Sequence, residues 1–289
     1  MSGSIGANRI SRLAVEPTVN TYIEQVLKGF PKFVQAGITG SYWAGTKDSH
    51  GDIDLVVLIE GDDIKDIKKK FKEYCSEHPY LAPFKVGRNI GKKAQMYGTI
   101  VTVESPQSSP GRGTVQIDNI IVNTPAEYDF VTKFLNLDAA RQCLISAVVR
   151  VINQETVRSF MRKWEIEERE LLPNQEYEFV LGQNKLSLRI VTLDEVNREV
   201  DRETIWVTSD WKYVNTILRV VGVGYNHSYQ KALSRVAFYF EDDPRARKRI
   251  LGIINSMINV GPGEVGTPKG KEKYRSKKKA EEKLITLFD

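Results

Sequence analysis

The chain has 289 residues, of which 41% are hydrophobic and 27% charged, an ordinary composition for a soluble globular protein. This length allows one large domain or two modest ones. The opening residues, MSGSIGANRISRL, lack the apolar stretch of a signal peptide, and no run has the length of a membrane span, so we expect a cytoplasmic protein without a membrane partner. Cys75 and Cys143 lie far apart without metal-ligand spacing, which predicts buried, reduced thiols.

The first 125 residues predict a small mixed α/β unit. Residues 1–16 are expected to be disordered. The alternation of apolar and polar residues then predicts helices and strands, and the turn-rich loop between the last two strands indicates an antiparallel hairpin. The elements follow in the order helix, strand with a terminal turn, strand, helix, strand and strand, at 17–30, 33–41, 52–60, 62–75, 97–104 and 114–122.

The pattern changes after Pro125. Residues 126–260 predict a mainly helical domain, with a helix over 154–172 and an alternating hairpin pattern at 176–191. Residues 261–289 predict a basic flexible tail. The expected fold class is α+β, with a mixed-sheet domain at 17–125 followed by the mainly helical domain.

Two acids open the apolar run DIDLVVLI. Asp52 and Asp54 would share one face of a strand, whereas Ile53 and Leu55 would point into a core. Two such carboxylates lie about 6 to 7 Å apart and repel each other. A pair kept in this position indicates a bound cation, and Mg²⁺ prefers carboxylate and phosphate oxygens.

A third acid lies inside another β-branched run, TVQIDNIIV. Asp118 occupies the middle of this predicted strand, where a solvated acid has no ordinary reason to be. Glu104, at the end of the preceding strand, is the alternative third ligand.

A small-residue turn precedes the acid pair. Gly40 and Ser41 end one strand, and ten residues separate them from Asp52. Glycine lets backbone N–H groups approach a phosphate closely, and a serine hydroxyl adds a donor. Gly45 and Thr46 offer further groups of the same kind.

Together these residues describe a clamp for a nucleoside triphosphate. The turn would hold the β- and γ-phosphates, Asp52 and Asp54 the metal that carries them, and Asp118 a second metal near the attacking hydroxyl. The expected reaction is in-line displacement at the α-phosphorus with release of pyrophosphate, supported by two Mg²⁺ ions, with Mn²⁺ as the alternative.

The segment GITGSYWAGTKDSHGDIDLVVLI resembles the signature of the DNA polymerase β-like nucleotidyltransferase superfamily, in which a hydrophobic stretch, Gly-Ser, a spacer and two alternating aspartates follow one another. Gly45-Thr46 resembles the branch with archaeal-type CCA-adding enzymes, non-standard poly(A) polymerases and oligoadenylate synthase-like enzymes. The resemblance covers residues 17–125. It implies a mixed sheet with three metal-binding acids, a following helical domain, Mg²⁺ and a nucleoside triphosphate, ATP or CTP being expected.

Two later segments resemble parts of the same families. VRSFMRKWEIEER is similar to a helix that touches the triphosphate, and this implies Lys163 as a phosphate ligand, with Arg162 second. HSYQKAL, at 227–233, is similar to a Ser-Tyr helix that meets the nucleotide.

A basic carboxy-terminal stretch points to the acceptor. Residues 244–280 hold eleven Lys or Arg and two acids, a net charge of +9. Such a stretch is typical of a phosphate-backbone binder or of a solubilising tail. The leading interpretation is a template-independent nucleotidyltransferase that extends an RNA 3′ end.

Three alternatives stay open. The acceptor could be a small molecule or a protein, as in antibiotic-modifying or toxin-type relatives. The product could be an oligonucleotide second messenger, or the chain could be a non-catalytic scaffold, although all three acids are intact. The sequence gives no oligomeric state.

Overall fold

The computed structural model of the protein describes residues 8–43, 47–82, 99–196 and 198–259, together with Glu282 and Thr286. The described chain divides after Asp138 into two units. Both combine helices with β-sheet, so the α+β class is confirmed.

The first unit is built around a four-stranded mixed sheet. Its elements in chain order are β1 (Ile10–Ser11), α1 (Arg12–Gln25), β2 (Phe33–Thr39), β3 (Ser49–His50), β4 (Asp52–Ile59), α2 (Ile64–Glu77), β5 (Thr99–Glu104), β6 (Thr114–Val122) and α3 (Pro125–Asn136). The sheet order is β2-β4-β6-β5. Strands β4 and β6 are parallel, and the other neighbours, including the expected β5–β6 hairpin, are antiparallel.

The two faces of this sheet differ in composition. On one face, Ile53 and Leu55 of β4 join Ile117 of β6 in a buried cluster with residues of α1 and α2. On the other face, the far ends of β4 and β6 contribute Val56 and Ile120 to a smaller cluster with α3. Asp52 and Asp54 at the start of β4 and Asp118 in the middle of β6 lie on this second face.

The amino-terminal boundary differs from the expected one. Residues 8–16 are not disordered, because Ile10–Ser11 pairs as a strand with Ser49–His50 and α1 begins at Arg12. Pro17 lies inside this helix rather than at its start. The sequence was misleading here because proline usually marks the first turn of a helix.

The boundary between the units also lies later than residue 125. Helix α3 belongs to the first unit. Its Val131 is buried against Val56, Leu58 and Ile120, so it completes the core of the sheet instead of opening the second domain.

The second unit combines helices with a three-stranded antiparallel sheet. Its elements are α4 (Ala139–Val151), α5 (Gln154–Lys163), β7 (Gln175–Leu181), β8 (Leu186–Leu193), β9 (Glu199–Thr208), α6 (Trp211–Val220), α7 (Tyr229–Tyr239) and α8 (Pro244–Asn259). The hairpin expected at 176–191 is β7–β8. The third strand, β9, pairs with β8.

Helix α5 ends nine residues before the expected residue 172, because a Schellman motif terminates it. Glu165 adopts a positive φ of 56°. The N–H of Glu165 donates to the carbonyl of Arg162 over 3.3 Å, and that of Ile166 donates to Met161 over 2.9 Å. Glycine usually fills this left-handed position, so a glutamate there gave no stop signal.

Both cysteines are buried and free, as expected. Burial raises the pKa of Cys75 to about 12. Among the described helices, none has the length and apolarity needed to span a membrane.

Candidate active site

Asp54 and Asp118 are direct neighbours in the parallel ladder of β4 and β6. Neighbouring strands lie about 4.8 Å apart, and register partners point to the same face of a sheet. The ladders add Thr39 of β2 beside Asp54 and Ile100 of β5 beside Asp118. One row across the sheet therefore carries both carboxylates in adjacent positions.

Asp52 lies one step along the same face. Its partner in β6 is Gln116, and the side-chain amide of Gln116 donates a hydrogen bond to Oδ1 of Asp118. A neutral amide thus stands among three carboxylates. This donor offsets part of the repulsion at Asp118, because its N–H faces a carboxylate oxygen on the side of Asp52.

Glu104 is set apart from this group. It pairs with Thr114, whereas Asp118 pairs with Ile100. Four residues along a strand correspond to about 13 Å. The register therefore favours Asp118 over Glu104 as the neighbour of Asp54.

The acids differ in exposure. Asp118 is 9% exposed, which is low for a carboxylate, while Asp52 and Asp54 are partly exposed. Thr39 is buried, and its hydroxyl donates to the side-chain carbonyl of Asn136 at the end of α3, over 2.8 Å. Asn136 of α3 therefore covers the Thr39 end of the row. Asp52 and Asp54 are accessible to solvent.

The Gly-Ser turn lies against the acid row. Gly40–Tyr42 forms one turn of 3₁₀ helix directly after β2, and the N–H of Trp43 donates to the carbonyl of Gly40 over 3.2 Å. Gly40 has a φ of 72°, and a Cβ at this position would lie 2.2 Å from Oδ2 of Asp54. Only glycine fits here, because the backbone is left-handed and the carboxylate occupies the space of a side chain.

Ser41 follows directly and is partly buried. The structure therefore brings Gly40 and Ser41 to the same end of the sheet as Asp54. Thr46 and Gly45 lie outside the described residues. The part of these residues in phosphate binding stays a prediction.

Two aromatic residues of the spacer take different positions. Trp43 is 56% exposed, and its indole N–H donates to the carbonyl of Ile38 over 2.6 Å. His50 is 2% exposed, and within the described part of the chain its Nε2 has no hydrogen-bond partner. Burial lowers the pKa of His50, and the charges of Arg12 and Lys47 act in the same direction.

The donor set is suited to Mg²⁺, although it does not form a ready-made cage. Carboxylate oxygens are the ligands this ion prefers, and Asp54 and Asp118 offer them from adjacent strands. Over the described ranges, no group of three or more His, Cys, Asp or Glu side chains is arranged to hold a metal. Binding of two Mg²⁺ by Asp52, Asp54 and Asp118 therefore stays a prediction.

Lys163 belongs to the second unit, where it is the exposed last residue of α5. Arg162 beside it forms an ion pair with Glu168 over 3.1 Å. Ser228 caps α7 by accepting a hydrogen bond from the N–H of Lys231. The role of Lys163 in triphosphate binding stays a prediction.

Two arginines of the basic stretch form contacts within the second unit. Arg249 pairs with Glu176 and Glu178, over 2.6 and 2.9 Å. Arg247 donates to the carbonyl of Glu241 over 2.6 Å. Arg245 and Lys248 are exposed, and the remaining basic residues lie outside the described residues.

Sequence reasoning did not assign roles to Gln116, Thr39 or Arg12. Gln116 could have been found from its even spacing to Asp118, which puts both on one strand face. Thr39 and Arg12 act through partners distant in the chain, Asn136 and Tyr42 among them, and only the folded structure reveals those pairs.

A scan against protein-family models finds no match for this chain. A search of curated proteins finds no match either.

Proposed function

We propose that the protein is a template-independent nucleotidyltransferase that transfers a nucleoside monophosphate from a nucleoside triphosphate to an acceptor hydroxyl. One observation carries the proposal: Asp54 and Asp118 are register partners on adjacent parallel strands, and Gly40 lies directly against Asp54. This arrangement offers two carboxylates and a turn without side-chain obstruction at one end of one sheet.

Each residue has a defined task in this reaction. Gly40 lets the turn approach the Asp54 carboxylate closely, and Ser41 adds a hydroxyl donor for the phosphate. Asp52, Asp54 and Asp118 would hold two Mg²⁺ ions, which supply charge stabilisation for the entering and departing oxygens. Asp118 on β6 is assigned to the acceptor hydroxyl, with Gln116 orienting its carboxylate.

The proposed acceptor is an RNA 3′ end. The basic stretch at 244–280, with a net charge of +9, exceeds what a triphosphate requires. Phosphate contacts release counterions, so RNA binding should weaken with salt, with a slope of about −0.7 per contacted phosphate for a single strand.

The function is tested by incubating the protein with Mg²⁺, total RNA and each of the four α-labelled triphosphates. Label should move from one triphosphate, ATP or CTP, to RNA with release of pyrophosphate. The Asp54→Asn variant is the matched control, since it removes one charge and keeps the shape of the side chain. Absence of transfer with every triphosphate would overturn the proposal for RNA.

A second acceptor class is a small molecule or a protein. Arg249 forms ion pairs and Arg247 a backbone contact within the second unit. These contacts favour this class, because they leave two fewer cations of the basic stretch to bind RNA phosphates. Deleting residues 266–289 separates the two cases. If the truncated chain binds RNA more weakly than the full chain, with a flatter salt slope and unchanged triphosphate binding, the acceptor is RNA. If the RNA affinity of the full chain does not depend on salt, the acceptor is a small molecule or a protein.

A further inference from the structure

The segment Asn8–Glu16, here called the strap, runs beside the loops that surround the candidate site. Its backbone pairs Ile10 with His50 and Ser11 with Ser49. The side chain of Arg9 donates to both the hydroxyl and the carbonyl of Ser49, over 2.9 and 2.6 Å. The strap therefore fixes the chain immediately before Asp52.

The strap also contacts the loop between β5 and β6. The N–H of Asn8 donates to the carbonyl of Thr114 over 2.8 Å, and that of Ser11 donates to Gly111 over 3.0 Å. Gly111 has a φ of 61°, and a Cβ there would lie 2.5 Å from Cβ of Ser11. The two segments are thus in close contact at the start of the strand that carries Asp118.

Arg12 connects the strap to the Gly40–Tyr42 turn. Its Nη1 donates to the carbonyl of Tyr42 over 2.7 Å, and its guanidinium lies 4.4 Å from the centre of the Tyr42 ring. The hydroxyl of Tyr42 donates to Glu16 over 2.7 Å, and the N–H of Arg12 donates to the carbonyl of Asp48 over 2.8 Å. One arginine therefore contacts the spacer between Ser41 and Asp52 at two places, Tyr42 and Asp48.

We propose that the strap holds the Gly40–Tyr42 turn in the geometry that binds the triphosphate, and that Arg12 is the positioning residue through which it acts. The inference that the turn binds a triphosphate rests on the proposed function. The mechanical part of the proposal, that the strap holds the turn in place, does not rest on that function. It depends only on the contacts of Arg12, Tyr42 and Glu16. A planar guanidinium suits this task, since it stacks on a ring and donates in its own plane at the same time.

The first measurement is amide hydrogen exchange of the full-length protein over residues 38–43. Arg12→Ala removes the bond and the stack, so exchange in the turn should accelerate about tenfold, as expected for the loss of a charged hydrogen bond. Arg12→Lys keeps the charge and loses the planar contact, so it should restore only part of the protection. Lys28→Ala is the matched control, because Lys28 pairs with Glu24 near the end of the same helix and is 57% exposed.

The second measurement is the kinetic split for the triphosphate. If the turn binds phosphate, Arg12→Ala should raise KM about tenfold and change kcat much less, with Lys28→Ala unchanged. A general loss of stability would lower the melting temperature without moving KM of the folded fraction. Should Arg12→Ala fail to fold, Tyr42→Phe removes only the bond to Glu16 and should accelerate exchange two- to fivefold.

The outcomes separate the two proposals. Unchanged exchange in the turn of both Arg12→Ala and Tyr42→Phe overturns the strap, whatever the activity. Faster exchange with an unchanged KM in an active enzyme overturns the positioning role. If exchange is faster in the variants and the wild-type protein transfers no nucleotide, the role of the strap in holding the turn is supported and the proposed function is overturned.

Discussion

The two faces of β4 place opposite demands on the same eight residues. Ile53, Leu55, Val57 and Ile59 alternate with Asp52, Asp54, Val56 and Leu58. The first set is wholly buried in the core with α1 and α2, whereas the second begins with partly exposed acids and becomes apolar only under α3. Neighbouring residues should therefore affect different properties, stability on one face and chemistry on the other.

The largest expected effect is that of Asp54→Asn. Turnover should fall by about 10³-fold, or about 4 kcal/mol of transition-state stabilisation, because a metal-binding charge is lost. The melting temperature should stay level or rise, since one like-charge repulsion is removed. Steady-state kinetics and thermal unfolding of the same preparation measure both.

Leu55→Ala is the reciprocal variant on the other face. Leu55 is 0% exposed, so its truncation should lower the free energy of unfolding by about 2–5 kcal/mol. Turnover of the folded fraction should change little. If Leu55→Ala abolished turnover while remaining folded, or Asp54→Asn unfolded the protein, the division between the faces would be wrong.

A smaller effect is expected at the turn. Gly40→Val should reduce turnover about 100-fold, because its side chain would meet the Asp54 carboxylate and its backbone would be strained at a φ of 72°. Ser41→Ala should cost about tenfold or less, since backbone donors remain. Equal and mild effects of the two changes would mean that the turn is only structural.

Gln116→Ala tests the neutral donor among the acids. It removes the hydrogen bond to Asp118, so turnover should fall about tenfold while the fold is kept. Gln116→Glu is the comparison, since it replaces the donor by a fourth carboxylate, and the added negative charge should lower the Mg²⁺ concentration needed for half-maximal turnover. Identical Mg²⁺ dependence in all three proteins would exclude a role for the amide.

The smallest effect concerns Cys75, which belongs to the apolar cluster. Its pKa of about 12, raised by burial, keeps the thiol protonated and unreactive at pH 8. Alkylation of the native protein at Cys75 should therefore follow the rate of opening and leave turnover unchanged until the protein unfolds. Rapid labelling of folded protein, followed by peptide mapping, would contradict the packing of this face.

The sequence predicted the parts of the fold that depend on local patterns. The alternation in DIDLVVLI separated the acids from the core residues, and the hairpins at β5–β6 and β7–β8 followed from turn residues between alternating runs. The parallel pairing that makes Asp54 and Asp118 neighbours has a separation of 64 residues and leaves no local pattern.

Other features were not predicted from the sequence, because they depend on tertiary contacts or on residues that are unusual at their positions. Arg12 and Glu16 flank a short apolar run, Leu13 to Val15, and no local pattern indicates that they contact Tyr42 across 30 and 26 residues. Glu165 ends α5 in a position where glycine is usual. His50 is polar and precedes a glycine, yet the pairing of β1 with β3 buries it.

The central claim is that the acid row binds a divalent cation together with a triphosphate. Its most direct test is a titration with Mn²⁺ followed by electron paramagnetic resonance, with and without a non-hydrolysable triphosphate, on the wild type and on a variant that carries both Asp54→Asn and Asp118→Asn. The account predicts that the wild type removes free Mn²⁺ from solution and does so more tightly with the triphosphate, while the folded double variant binds at least 100-fold more weakly. Equal Mn²⁺ binding by the two proteins would contradict it.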